Sequence, residues 1–213
     1  FSDRRYLRAG ETLDGPIGLV AEDFDGDGDT DFAVLDTATG EDSRVVVFLQ
    51  EGGAAAPAAC DASDNGYRAC SYDLEDVVWA DLTSGDLDGD GDTDLAAVAD
   101  GRSALLLNDG GTFTVNALTT AGSSQQAVIA DVSGDDRADL VLGSADGLLR
   151  VQIQSESGDF ESADELGRWA DAADEGLPAM TVLLRTGGDA ESIPGFIVGA
   201  KADSGPGRLL VLS

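Results

Sequence analysis

Acidic residues recur at every second position of a nine-residue stretch, and the stretch occurs three times. The copies are Asp23-Phe24-Asp25-Gly26-Asp27-Gly28-Asp29-Thr30-Asp31, Asp86-Leu87-Asp88-Gly89-Asp90-Gly91-Asp92-Thr93-Asp94 and, in weakened form, Asp131-Val132-Ser133-Gly134-Asp135-Asp136-Arg137-Ala138-Asp139. Carboxylates packed this densely disfavour one another's ionisation unless a cation sits among them. Calcium fits the pattern: it takes six to eight oxygen ligands, and a tightly turned backbone aims alternate side chains at one centre. Magnesium, which keeps its waters and uses one or two carboxylates, is the second choice. Zinc is disfavoured, because the chain has no histidine and only two cysteines.

In this reading positions one, three, five and nine supply side-chain oxygens, which are Asp23, Asp25, Asp27 and Asp31, then Asp86, Asp88, Asp90 and Asp94, then Asp131, Ser133, Asp135 and Asp139. Position seven (Asp29, Asp92, Arg137) offers its backbone carbonyl, so its side chain is unconstrained. Glycines at positions four and six allow the sharp turn. Asp136 replaces the second glycine of the third copy, which predicts a strained or weaker site there. The expected complement is two strong calcium sites and one weaker one.

An EF-hand begins the same way but needs a bidentate glutamate at position twelve and flanking helices. Position twelve is Val34, Ala97 and Leu142, which excludes it. Short apolar runs of strand length follow each loop, at 32–35, 95–98 and 140–143, and others precede it, at 17–21, 77–80 and 127–130. A further apolar strand comes after each, at 44–49, 103–107 and 148–153, and weaker ones at 67–70, 112–115 and 160–162. The C-terminal quarter repeats the strands at 180–184, 195–200 and 207–212 without an acidic loop. Four-stranded antiparallel units of this length cannot bury both faces alone and must stack, which predicts an all-β propeller of four blades. The expected blades are 1–66, 67–112, 113–159 and 160–213 within one domain, either a closed small propeller or part of a larger one. The strand at Arg5–Arg8 would complete the last blade if the circle closes.

The aromatic-led outer strand, the D-x-D-G-D-G-x-x-D-[LF] loop and the apolar strand after it resemble the FG-GAP/VCBS repeats of integrin-α-like calcium-binding β-propellers. The resemblance spans the chain and fades at 187–196, where Gly188-Asp189-Ala190-Glu191 cannot build the loop. It implies calcium in the hairpin between a blade's first and second strands, a ligand on the opposite face, and about seven blades in a whole propeller.

The formal charge of −30 argues against nucleic acid or an anionic membrane surface as partner, since both would repel the chain. No apolar run is long enough to insert into a membrane. Phe1 in place of an initiating methionine reads as a processed product or a fragment. Cys60 and Cys70 lie ten residues apart across a turn, which reads as a disulfide stapling a hairpin and hence an oxidising compartment, secreted or at the cell surface. Two buried free thiols are the alternative. The stretch 162–177 carries some helical character and Trp169, read either as a ligand-contacting anchor or as a plug over the gap between blades; Trp79 reads as core.

For catalysis the sequence offers little: there is no histidine base, GxSxG or phosphate-cradling loop, and composition singles out no carboxylate pair for glycoside hydrolysis among 42 acidic residues. The expected function is therefore a secreted or surface-exposed adhesion or binding module for a protein or glycan. A structural subunit of a surface appendage, self-associating or held by neighbouring blades, is the alternative. An enzyme acting on polysaccharide ranks third.

Overall fold

The protein is seen in a computed structural model. It describes residues 13–37, 43–52, 60–61, 66–75, 77–144 and 148–160, with backbone alone at 119–123 and in the strands at 164–168, 182–185, 195–200 and 208–212. The described chain is all-β, and its strands form antiparallel sheets.

The first sheet contains β1 (Pro16–Glu22), β2 (Asp31–Asp36), β3 (Arg44–Gln50) and β4 (Tyr67–Asp73), side by side in that order. Their alternation of side chains follows the pleat. Leu35 pairs with Val45 and Ala33 with Val47, and these face the second sheet. Val34 pairs with Val46 and Phe32 with Phe48 on the other face. Both faces are buried, because Val34, Val46, Phe48 and Ala69 form a separate apolar cluster there.

The second sheet contains β5 (Trp79–Gly85), β6 (Asp94–Asp109) and β7 (Thr112–Ser123). β6 is not one straight strand. The Asp94 carboxylate lies 2.7 Å from the amide of Asn108, whereas an extended run of that length would separate them by roughly 45 Å. Gly101, with φ of +72°, lies where the run reverses. Its first arm pairs with β5 and its second with β7, so the sheet again has four lanes. The third sheet has the order β8 (Gln126–Ala130), β9 (Asp139–Gly143), β10 (Leu148–Gln152) and β11 (Asp164–Arg168). A last sheet contains β12 (Val182–Arg185), β13 (Gly195–Ala200) and β14 (Arg208–Leu212).

Hydrogen bonding groups the strands differently from blade units starting at Tyr67, Phe113 and Phe160. β4, β7 and β11 each pair back onto β3, β6 and β10, as last strands of the preceding sheets. Two local expectations are corrected. Residues 162–177 include the strand β11 where helical character was expected. The strand expected at 77–80 starts at Trp79 and runs on to Gly85, because a turn precedes it: Val77 N–H and Trp79 Nε1 both donate to the carbonyl of Glu75. Val78 is left 89 % exposed by that turn. The strand expected at 5–8 and the acidic-loop remnant at 188–191 lie outside the described residues.

The sheets stack through their first strands. β1 packs on β5 and β5 on β8. A glycine marks each crossing: a Cβ on Gly18 would stand 3.0 Å from Leu82 Cβ, and one on Gly85 would stand 2.6 Å from Ile129 Cγ2. The Asp81 carboxylate adds a polar tie, accepting from Ala127 N–H at 3.1 Å. Between the first and second sheets lie Phe24, Leu35, Val47, Leu82, Leu95 and Leu106, and between the second and third lie Leu87, Val98, Ile129, Leu140 and Leu142. Fully burying each such side chain stabilises the fold by about 1.5–3 kcal/mol.

Candidate metal centres

Each acidic loop joins the first strand of a sheet to its second, and all three share one backbone scaffold. The position-one aspartate caps the turn with both oxygens. Asp23 accepts from the amides of Asp27 and Gly28 at 3.1 and 2.9 Å, and Asp86 from those of Gly89 and Gly91 at 2.7 and 3.1 Å. Asp131 accepts from Gly134, Asp135 and Asp136 at 2.7, 3.3 and 3.0 Å. The turn needs left-handed backbone at positions four and six. Gly26 and Gly28, like Gly89 and Gly91, have positive φ, and Gly134 does too. Asp136 adopts φ of +65° at position six of the third loop, which is the strain expected there.

Position nine has a role that the spacing did not reveal. Asp31, Asp94 and Asp139 are completely buried. One oxygen of each accepts from the position-two amide, namely Phe24 at 2.9 Å, Leu87 at 2.6 Å and Val132 at 3.0 Å. The other accepts from the far end of the sheet's third lane, namely Gln50 and Asn108 at 2.7 Å and Gln154 at 3.0 Å. These carboxylates bolt the loop to the sheet. Burial pushes Asp31 and Asp94 up to about 6, against the opposing pull of those amides, and the charges of neighbouring loop aspartates add to the rise. Asp25 and Asp88 are also raised, first by desolvation.

Carboxylates gather closely in two of the loops. Oxygens of Asp23, Asp25 and Asp27 lie within 4.8 Å of one another, as do those of Asp86, Asp88 and Asp94. Ligands about 2.3–2.6 Å from one calcium stand no more than about 5 Å apart, so both groups suit such a shell. The first loop also leaves an oxygen without a donor: Asp27 Oδ2 is buried and unpartnered, while its Oδ1 accepts from Asp29 N–H at 2.8 Å. A Cβ on Gly52 would stand 2.9 Å from that orphaned oxygen, so a side chain there would displace the aspartate carboxylates beside it. An all-oxygen donor set with an orphaned buried carboxylate oxygen fits a hard divalent cation. Asp90 lies in the second loop outside its close group, with Oδ1 accepting from Asp92 N–H at 2.8 Å. Of the position-seven side chains, Asp92 is tied to Gly110 N–H at 2.8 Å and Asp29 lies against Gly52.

The third loop differs. Asp131, Asp135 and Asp139 do not form such a group among the described residues. The Arg137 guanidinium turns back onto the Asp135 carboxylate and also donates to the carbonyl of Gln154 at 3.3 Å. Ser133 Oγ points to Asp131 Oδ1 at 3.5 Å.

Adjacent loops are linked by amide side chains at the ends of the third lanes. Asn108 Nδ2 donates to the carbonyls of Phe24 and Thr93 at 2.8 and 3.0 Å, and its Oδ1 accepts from Gly111 N–H. Gln154 Nε2 repeats the device one sheet on, donating to the carbonyl of Leu87 at 2.7 Å. Sequence reasoning missed both residues; an amide-bearing residue closing each third apolar strand, at Gln50, Asn108 and Gln154, was the available signal.

Cys60 and Cys70 are disulfide-bonded, which joins the segment after β3 to β4. Trp79 is buried in the core. Trp169 lies outside the described residues. No helix among the described residues is long and apolar enough to cross a membrane.

The family model for the FG-GAP-like repeat matches residues 86–142, from the second acidic loop through the strand after the third. No curated protein matches the chain. The matched segment therefore carries an FG-GAP-like repeat, bounded by two of the three loops described above.

Proposed function

We propose that the chain is a calcium-stabilised β-propeller module that binds a protein or glycan outside the cell or at its surface. The observation that carries this is the orphaned Asp27 Oδ2 inside a cluster of three carboxylates, at a loop position repeated from sheet to sheet. Stacking of β1, β5 and β8 and burial of both faces of the first sheet support a ring of blades. The disulfide and the FG-GAP-like repeat suit an extracellular setting. Two calcium ions would be held by Asp23, Asp25 and Asp27 and by Asp86, Asp88 and Asp94, supplying charge that lets these carboxylates ionise together.

Binding is placed at the end of the sheets away from the acidic loops. There the connection from β4 to β5 and the reversal of β6 bound a cleft of about 460 Å³, lined by Leu74, Glu75, Trp79, Arg102, Ser103 and Leu118. Ser103 belongs to its lining, with Oγ beneath the surface and unpartnered, so a polar ligand group would reach it once the cleft wall shifts. A glycan and protein array probed in calcium, with Ser103→Ala alongside, tests this. Binding that weakens in the variant supports the reading, and an array with no ligand, or with ligands indifferent to Ser103→Ala, counts against a binding site there.

A further inference from the structure

We infer that the third acidic loop carries its own cation, the Arg137 guanidinium, and does not take up calcium. This rests on the calcium reading of the first two loops for its contrast. Those loops have five carboxylates each in the nine-residue stretch; the third has four, with an arginine at position seven. The arginine is directed inward: its side chain pairs with Asp135 Oδ2, at the position-five ligand, while its own N–H donates to Asp135 Oδ1 at 3.0 Å. A guanidinium is always charged and presents several donors in a fixed fork, so it can satisfy a carboxylate as a metal would.

The loops differ at position five, because the position-one and position-nine carboxylates meet backbone amides with both oxygens in every copy. Both oxygens of Asp131 accept from turn amides. Those of Asp139 accept from Val132, Ser133 and Gln154. Both oxygens of Asp135 belong to Arg137. The first loop, in contrast, leaves Asp27 Oδ2 buried and bare. Arg137 further fastens the loop to Gln154, whose side chain reaches the carbonyl of Leu87 in the second loop. The third loop is thus a cation-independent brace beside a cation-dependent one.

Residue-resolved amide spectra and hydrogen exchange test this on the whole chain. Calcium chloride added to the wild-type protein is expected to shift the amide resonances of Gly26, Gly28, Gly89 and Gly91 and to leave Gly134 in place. In chelator, the amides of Gly134 and Asp136 stay protected in the wild type. They lose at least tenfold in protection in Arg137→Ala, regain it on adding calcium, and keep part of it in Arg137→Lys. A Gly134 resonance that titrates with those of the first two loops overturns the inference, as does unchanged protection in Arg137→Ala. If the glycines of the first two loops do not respond, the calcium reading fails, and the chelator experiment still decides the role of Arg137.

Discussion

The side-chain amide of Asn108 donates a 2.8 Å hydrogen bond to the carbonyl of Phe24, tying the second sheet to the first acidic loop. Its backbone amide serves Asp94 in the second loop, so one residue ties down two loops. Asn108→Ala leaves the buried Phe24 carbonyl and Gly111 amide without this partner, which costs about 1–3 kcal/mol for each group stranded. Denaturant unfolding in chelator is expected to show that loss. An unchanged midpoint would mean that the link has no energetic weight.

The disulfide should matter through the unfolded chain. Closing a loop of this length stabilises by roughly 2–3 kcal/mol in the chain-entropy account. For a chain of this size each kcal/mol moves the melting temperature by about 2–4 °C. The double variant Cys60→Ser, Cys70→Ser is therefore expected to melt about 4–12 °C lower under oxidising conditions. A reductant should reproduce the drop in the wild type and leave the variant unmoved.

Asp136 holds a left-handed backbone that glycine adopts without penalty. Asp136→Gly is expected to stabilise the protein by about 1 kcal/mol, at the lower end for relief of this conformation in a residue type that tolerates it. The same exchange in reverse, Gly28→Asp, is expected to destabilise by a similar amount. Equilibrium unfolding of both variants checks the pair, and a Gly28→Asp protein as stable as the wild type would contradict the backbone argument.

Asp81 gives a pH dependence. Desolvation raises its pKa in the fold, and the amides of Ala127 and Leu82 only partly oppose this. A carboxyl whose folded pKa lies above its unfolded value binds more protons in the native state. Its contribution to stability is present below the unfolded pKa and is lost as pH rises through the folded one. Asp81→Asn keeps an acceptor for Ala127 N–H without the half-buried charge. It is expected to raise the melting temperature at pH 7 and to do so much less at pH 3. Equal shifts at both would show that the charge is not what costs stability.

The loops and the strands around them were legible because both have strict local signatures: alternate aspartates with glycines between them, and short apolar runs on either side. Asp136 and the Cys60–Cys70 pair could be read for the same reason, each being a local constraint. What a strand pairs with is not local. β4 reads equally well as the start of one unit or the end of another, and only its hydrogen bonds to β3 decide. Val78 looks like core in a list of apolar residues, but the turn at Glu75 turns it out to solvent. Spacing alone makes the position-nine aspartates ligands, whereas their burial and paired amide contacts make them anchors as well. The pattern asks only for the carbonyl of Arg137, which leaves its side chain unassigned, and that side chain takes a partner two residues back.

The most direct measurement is a thermal unfolding scan with calcium, with magnesium and with chelator, together with calorimetric counting of bound calcium. At affinities of about 10⁻⁴–10⁻³ M, usual for extracellular modules, millimolar calcium stabilises each site by about 0.5–1.5 kcal/mol. The account predicts two bound calcium ions and a rise of several degrees that magnesium does not match. A melting temperature that calcium moves no more than magnesium, with no ion bound stoichiometrically, would contradict it and leave the acidic loops as solvated turns.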